Sequence, residues 1–237
     1  MATKLSAISH RAHLSSALAP AGELLFMPTA YVIANGEPIR GGVPIIAPHF
    51  GDLLGSDPKH GWARRVEWEE QTTAQSIDFR TSHDKWDIRL SAAPTADGFA
   101  MAMKVRNSCD FRRKLQLAFH PYFRVEDVTA ITVTGAAASD ITFDGAAYDV
   151  RHPIDPDTPT SVSICSPTRT ITVTGTNSDH IVVWNPGERH GLADLGRDEW
   201  RNFVCVEPAL LGVDETGHDT LPWEWITVGM TVHSQTH

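Results

Sequence analysis

Short runs of alternating apolar and polar residues, each closed by a turn signal, constrain this chain more than any other feature. Residues 100–105 read A-M-A-M-K-V, and residues 114–119, 131–134, 170–174 and 225–232 keep the same period of two. That period puts successive side chains on opposite faces and marks a half-buried strand. Glycine, proline, aspartate and asparagine cluster between the runs, at Asn35-Gly36, Asp57-Pro58, residues 94–98, residues 153–159 and Pro186-Gly187. Helical periodicity is confined to two short candidates, residues 9–18 and 198–202. Strands at regular spacing with turns between them predict an all-β chain, a large antiparallel β-sandwich or barrel. No composition break, internal repeat or linker divides it, so residues 1–237 are expected to form one domain.

Charge narrows the partners. Twenty lysines and arginines against 29 aspartates and glutamates give a net charge of -9. Nucleic-acid binding needs a basic footprint and is not expected. No polybasic segment is present to hold an anionic membrane, and no apolar run approaches the roughly 20 residues of a membrane span. The first 22 residues lack the apolar core of a signal peptide, so a cytoplasmic protein is expected. Cys109, Cys165 and Cys205 are odd in number and far apart, which predicts buried reduced thiols and no disulfide framework. No histidine pair or Cys/His cluster has metal-ligand spacing, and no P-loop, G-x-G-x-x-G or G-x-S-x-G motif occurs. Neither a metal nor a cofactor is therefore expected.

Polar residues inside strand-like surroundings remain. His120 closes the run L-Q-L-A-F and precedes Pro121, which cannot donate to a β-ladder. It is either a hydrogen-bonded core histidine or a group at the mouth of a pocket. Glu207 ends the run F-V-C-V-E before Pro208. It is either a surface carboxylate just past a core strand or a buried base, since burial raises a carboxylate's pKa. Arg40 beside Gly41-Gly42, and Lys59 and Arg64 around His60-Gly61, put cations next to flexible backbone. Such loops are either solvated or built for an anion or a sugar diol, which arginine holds with two parallel hydrogen bonds.

Taken in order, these pieces resemble the hexose-6-phosphate mutarotases (glucose-6-phosphate 1-epimerases), a branch of the galactose mutarotase-like superfamily. The matching stretches are I-R-G-G-V-P at residues 39–44, Phe50-Gly51, H-G-W-A-R at 60–64, H-P-Y-F at 120–123, V-V-W-N-P at 182–186 and F-V-C-V-E at 203–207. The resemblance implies a superfamily-type β-sandwich with a substrate cleft on a concave sheet. It implies His120 as general acid, Glu207 as general base, and Arg40, Lys59 and Arg64 as substrate-holding cations. Phe50, Trp62, Tyr122 and Trp184 are expected as apolar walls or as core. The reaction implied is acid/base-catalysed interconversion of the α and β anomers of an aldohexose 6-phosphate, without cofactor. Glu207 or the sugar phosphate is expected to keep His120 charged near pH 7.

The chain departs from the family pattern in three places. Pro121 follows the histidine where the family usually has threonine, and His49 replaces an aromatic before Phe50-Gly51. The family's substrate-contacting aspartate aligns with Thr160, which leaves Asp157 as the nearest carboxylate. Other readings are an aldose 1-epimerase acting on unphosphorylated sugars and a non-catalytic carbohydrate-binding sensor. The expected partner is a small sugar phosphate, with the chain a monomer or weak homodimer.

Overall fold

The computed structural model describes residues 2–8, 11–31, 33, 37–55, 57–155, 157 and 160–237. Among them every strand pairing is antiparallel. Helical structure there is limited to short 3-10 turns such as Glu199–Asn202, which falls on the second helical candidate. No helix of the described residues is long and apolar enough to cross a membrane.

Two large sheets build the sandwich. A nine-stranded sheet runs Ile141–Thr142, Thr132–Thr134, Thr160–Cys165, Arg169–Thr176, Trp225–Thr236, Gly98–Asn107, Trp86–Pro94, Ile77–His83 and Glu69–Thr72. Its interior follows from the alternation. Trp86, Ile88, Leu90 and Ala92 face inward from one strand. The neighbouring strand answers with Phe99, Met101, Met103 and Val105, in the register Ile88↔Val105, Leu90↔Met103 and Ala92↔Met101. Residues 100–105, 170–174 and 225–232 all lie within such strands, as their alternation predicts.

The second sheet runs Tyr148–Pro153, His180–Asn185, Phe203–Leu210, Leu117–Phe119 and Ile45–Ile46, with Tyr122–Arg124 also paired to Phe203–Leu210. Its inner face gives Ile181, Val183, Val204 and Val206 to the main core. Its outer face carries Val182, Trp184 and Glu207 toward solvent-side cavities.

Three local expectations are corrected. Residues 13–18 of the first helical candidate belong to the strand His13–Ala19, bonded between Lys4–Ile8 and Gly22–Glu23. Sheet pairing and burial of Leu14, Ala17 and Ala19 override a weak helical preference. Ser9 and His10, like Asn35-Gly36 and three positions of the 153–159 turn, lie outside the described residues. Residues 114–119 are not one strand: they split at Gln116 into Arg113–Leu115 and Leu117–Phe119, which belong to different sheets. Glu207 does not end its strand, which continues through Pro208 to Leu210. Proline is tolerated there because one flank of the strand changes partner at that point, from Tyr122–Arg124 to Leu117–Phe119. All three cysteines are free, but only Cys205 is fully buried; Cys109 and Cys165 are half-buried.

Gln116 is the joint between fold and cleft. It is fully buried, its side-chain oxygen accepts from the Phe50 amide at 3.0 Å, and its amide nitrogen donates to the carbonyls of Leu211 and Glu215 at 3.1 and 2.8 Å. Leucine would fill the space but remove all three bonds, leaving the Phe50 amide and the Glu215 carbonyl without these partners while Leu211 keeps the Gly217 amide. Gln116→Leu is expected to cost about 3 kcal/mol of stability, read as a lower urea midpoint with an unchanged m-value.

Candidate active site

The cleft is assembled from stretches far apart in the chain. Its cavity measures about 380 Å³ and is lined by Arg40, Phe50, Asp52, Lys59, His60, Arg64, His120, Tyr122, Asp149, Arg151, Trp184 and Glu207, among others. A volume of that order suits a single hexose. At its floor His120 Nδ1 lies 2.9 Å from Glu207 Oε1. Both side chains are almost wholly buried, at 8% and 2% exposure.

Backbone pairing sets the histidine's position. The amides of His120 and Tyr122 donate to the carbonyls of Pro44 and Gly42 at 3.0 and 2.8 Å. Pro121 lies between these two donors, where no amide hydrogen is called for. The imidazole is stacked on Tyr122, with ring centroids 4.9 Å apart, and meets Trp184 edge-on at 5.6 Å. Phe50, Tyr122 and Trp184 therefore form walls of the cleft. Trp62 does not line it: it is buried beside His83, 4.8 Å away.

Burial dominates the electrostatics. It pushes the Glu207 carboxyl well above the usual range, with the Asp149 charge adding to the effect. It lowers His120 to about 3, helped by the positive charges of Arg64 and Arg40. Burial therefore opposes the charge that His120 is expected to carry near pH 7. Taking a charge out of water costs more than the neighbouring carboxylate returns. Glu207 Oε2 has no hydrogen-bond partner, and the 2.9 Å His120 contact lacks hydrogen-bond direction. Buried polar groups left open in this way are suited to a polar ligand.

The cations differ among themselves. Arg40 is held by Asp194 at 2.8 Å and donates to the Tyr122 hydroxyl at 3.1 Å. Burial opposes its charge, but Tyr122 and Asp194 outweigh that and raise its pKa. Arg64 donates to the Lys59 carbonyl at 3.0 Å, and its Nε is buried without a partner. Burial lowers it to about 10, so it is a cation short of compensating charge. Burial, then Arg64, lowers His60 to about 2. The Gly51 amide donates to its Nδ1 at 3.1 Å, so the ring is a neutral acceptor on that side. His49, unusual for the family, ties its ring to the Pro58 carbonyl at 2.9 Å and braces the Lys59 loop.

Arg40, Lys59, Arg64, His120 and Glu207 thus converge as the sequence predicts. Asp157 does not join them. It lies on a different, larger cavity of about 1070 Å³ with Asp179 and His180. Arg151, ion-paired to Glu215 at 2.6 Å, lines both cavities. Besides Glu207, the carboxylates lining the cleft are Asp52 and Asp149, which sequence reasoning does not single out. Asp149 stands on Tyr148–Pro153, opposite Trp184. Its signal in the sequence is its place in the strand-like run Tyr148–Pro153, just ahead of residues 155–163. Thr160 belongs to the other sheet.

A two-sheet sandwich with a buried histidine–carboxylate pair under arginines is a galactose mutarotase-like architecture. A family model described as aldose 1-epimerase matches residues 16–216, and the chain belongs to that family. A protein of Cenchrus ciliaris named "Putative glucose-6-phosphate 1-epimerase" is 27% identical, covering 79% of this chain and 68% of its own. The Slr1438 protein from Synechocystis sp. PCC 6803 superimposes with a TM-score of 0.78 at 18% identity, over 100% of this chain and 96% of its own. A galactose mutarotase related enzyme from Lactobacillus acidophilus superimposes with a TM-score of 0.76 at 14% identity, over 100% and 95%. At such identities the two structures speak for the fold alone.

Proposed function

We propose that this protein interconverts the α and β anomers of an aldohexose 6-phosphate through the open-chain aldehyde. The observation that carries the reading is the buried His120–Glu207 pair, 2.9 Å apart, in a cleft whose Arg64 lacks a carboxylate partner among the described residues. The name of the Cenchrus ciliaris relative points the same way.

Ring opening needs two proton movements. Glu207 takes the proton of the C1 hydroxyl as the carbonyl forms. His120 donates a proton to the ring oxygen as the C1–O5 bond breaks. Rotation about C1–C2 and the reverse transfers close the ring on the other face. This cycle starts from charged His120 and ionised Glu207, the forms that burial disfavours. Substrate offsets part of that. After burial, Arg64 and Arg40 are the causes that depress His120. A phosphate dianion seated on those arginines offsets their share and favours the charged imidazole. Phosphate binding then arms the acid.

The direct test is anomer exchange of glucose 6-phosphate followed by saturation-transfer NMR. Exchange no faster than buffer would end the enzymatic reading. Glucose as a second substrate separates this reading from an epimerase of unphosphorylated sugars. Arg64→Ala is expected to lower kcat/KM for glucose 6-phosphate about 10- to 150-fold, the loss of one charge-assisted hydrogen bond, with little change for glucose. Equal losses for both sugars would assign Arg64 to the ring rather than the phosphate.

A further inference from the structure

The face of Phe203–Leu210 that carries Glu207 also carries Cys205, two residues earlier on the same strand. Cys205 stands opposite Tyr122 in the ladder and is fully buried. One ligand atom each from His120, Cys205 and Glu207 lies within 4.8 Å of the other two. These are an imidazole nitrogen, a sulfur and a carboxylate oxygen, the three donor types that zinc-class ions prefer. Two of the donors, His120 Nδ1 and Glu207 Oε2, make no hydrogen bond although both residues are more than nine-tenths buried. Their chain positions, 85 and 87 residues apart from His120, hide the cluster from any spacing rule.

We propose that His120, Cys205 and Glu207 form an open, three-ligand site for a zinc-class divalent ion, whose occupation silences the proton-transfer pair. Tetrahedral binding would draw the donors from at most 4.8 Å to roughly 3.5 Å from one another, within reach of side-chain rotation. The fourth position opens on the cleft, because His120 and Glu207 line it. Proton balance is defined. The ion takes a thiolate, a carboxylate and a neutral imidazole. Binding forms Zn–S, Zn–O and Zn–N bonds and releases the Cys205 thiol proton, with any proton on the Glu207 carboxyl, to solvent, with no redox change. With its acid and base both ligated, the cleft cannot move protons, and a chelator restores it.

The site is tested on full-length metal-free protein in a Cys109→Ala/Cys165→Ala background, where Cys205 is the one remaining thiol. Calorimetric titration with Zn²⁺ in two buffers of different ionisation enthalpy is expected to show one ion per chain with release of protons. Titration with Cd²⁺ is expected to give a cadmium–thiolate absorption band. Adding Cys205→Ala should abolish the band, lower the proton count by one and weaken Zn²⁺ binding at least about tenfold. Anomer exchange should fall as Zn²⁺ saturates and return with EDTA. No Cd²⁺–thiolate band in the single-thiol background, or Zn²⁺ affinity unchanged by Cys205→Ala, would overturn the site. If the wild type proves inactive on sugars, the spectroscopic and proton-release arms still decide the matter.

Discussion

Replacing Glu207 by glutamine is expected to lower enzyme-catalysed anomer exchange by about 100- to 10,000-fold, the usual worth of one positioned acid or base. Glutamine keeps the shape and the polar contact with His120 but cannot accept the C1 hydroxyl proton. His120→Ala should fall in the same range, and the double variant should lose little more, because the two groups act on one proton cycle. A full sum of the two losses would show that they act separately. The same substitution carries a stability signature with a defined sign. Burial raises the Glu207 pKa in the folded protein. The folded state is thus penalised as pH climbs above the unfolded carboxyl's range, toward the raised value. Glu207→Gln removes that penalty. Its melting temperature should exceed that of wild type at pH 8 and match it at pH 4. A variant that is inactive and also less stable at pH 8 would mean that Glu207 is ionised and well paired in the free protein.

The second large effect is steric. Gly61 lies between His60 and Trp62 with φ +74, and a Cβ there would come 2.0 Å from the Ala47 carbonyl oxygen and 2.8 Å from the Pro48 nitrogen. The left-handed conformation alone costs alanine roughly 1–2 kcal/mol. Forcing backbone apart in a packed region adds about 1–3 kcal/mol. Gly61→Ala is therefore expected to lose about 2–5 kcal/mol of stability. The shift also carries His60 and Arg64 away from the cleft, so KM for the sugar phosphate should rise in the fraction that folds. Gly51→Ala is the comparison: φ is +57, but no atom lies within 4 Å of its Cβ, so only the conformational cost remains. Equal melting temperatures for the two variants would contradict the argument.

Much of the fold was legible. Residues 100–105, 170–174 and 225–232 alternate because one face of each strand meets the core and the other meets water, and sequence records that contrast directly. Residues 13–18 read as helical because Ser-Ser-Ala has weak local preference, and the pairing partners decide for a strand. The break at Gln116 was hidden because its reason is three backbone partners, at Phe50, Leu211 and Glu215, all remote in sequence.

The sequence by itself determined the strand-and-turn plan and the cast of the cleft: Arg40, Lys59, Arg64, His120 and Glu207. Both are written locally, in alternation and in short ordered motifs. Only the tertiary structure decided which carboxylates line the cleft. It placed Asp149 there and Asp157 on another cavity, because strand order sets who faces whom. It also decided how deeply His120 and Glu207 are buried and the nearness of Cys205 to them. Depth of burial and contact between chain segments some 85 residues apart govern both, and neither is a property of any local stretch of chain.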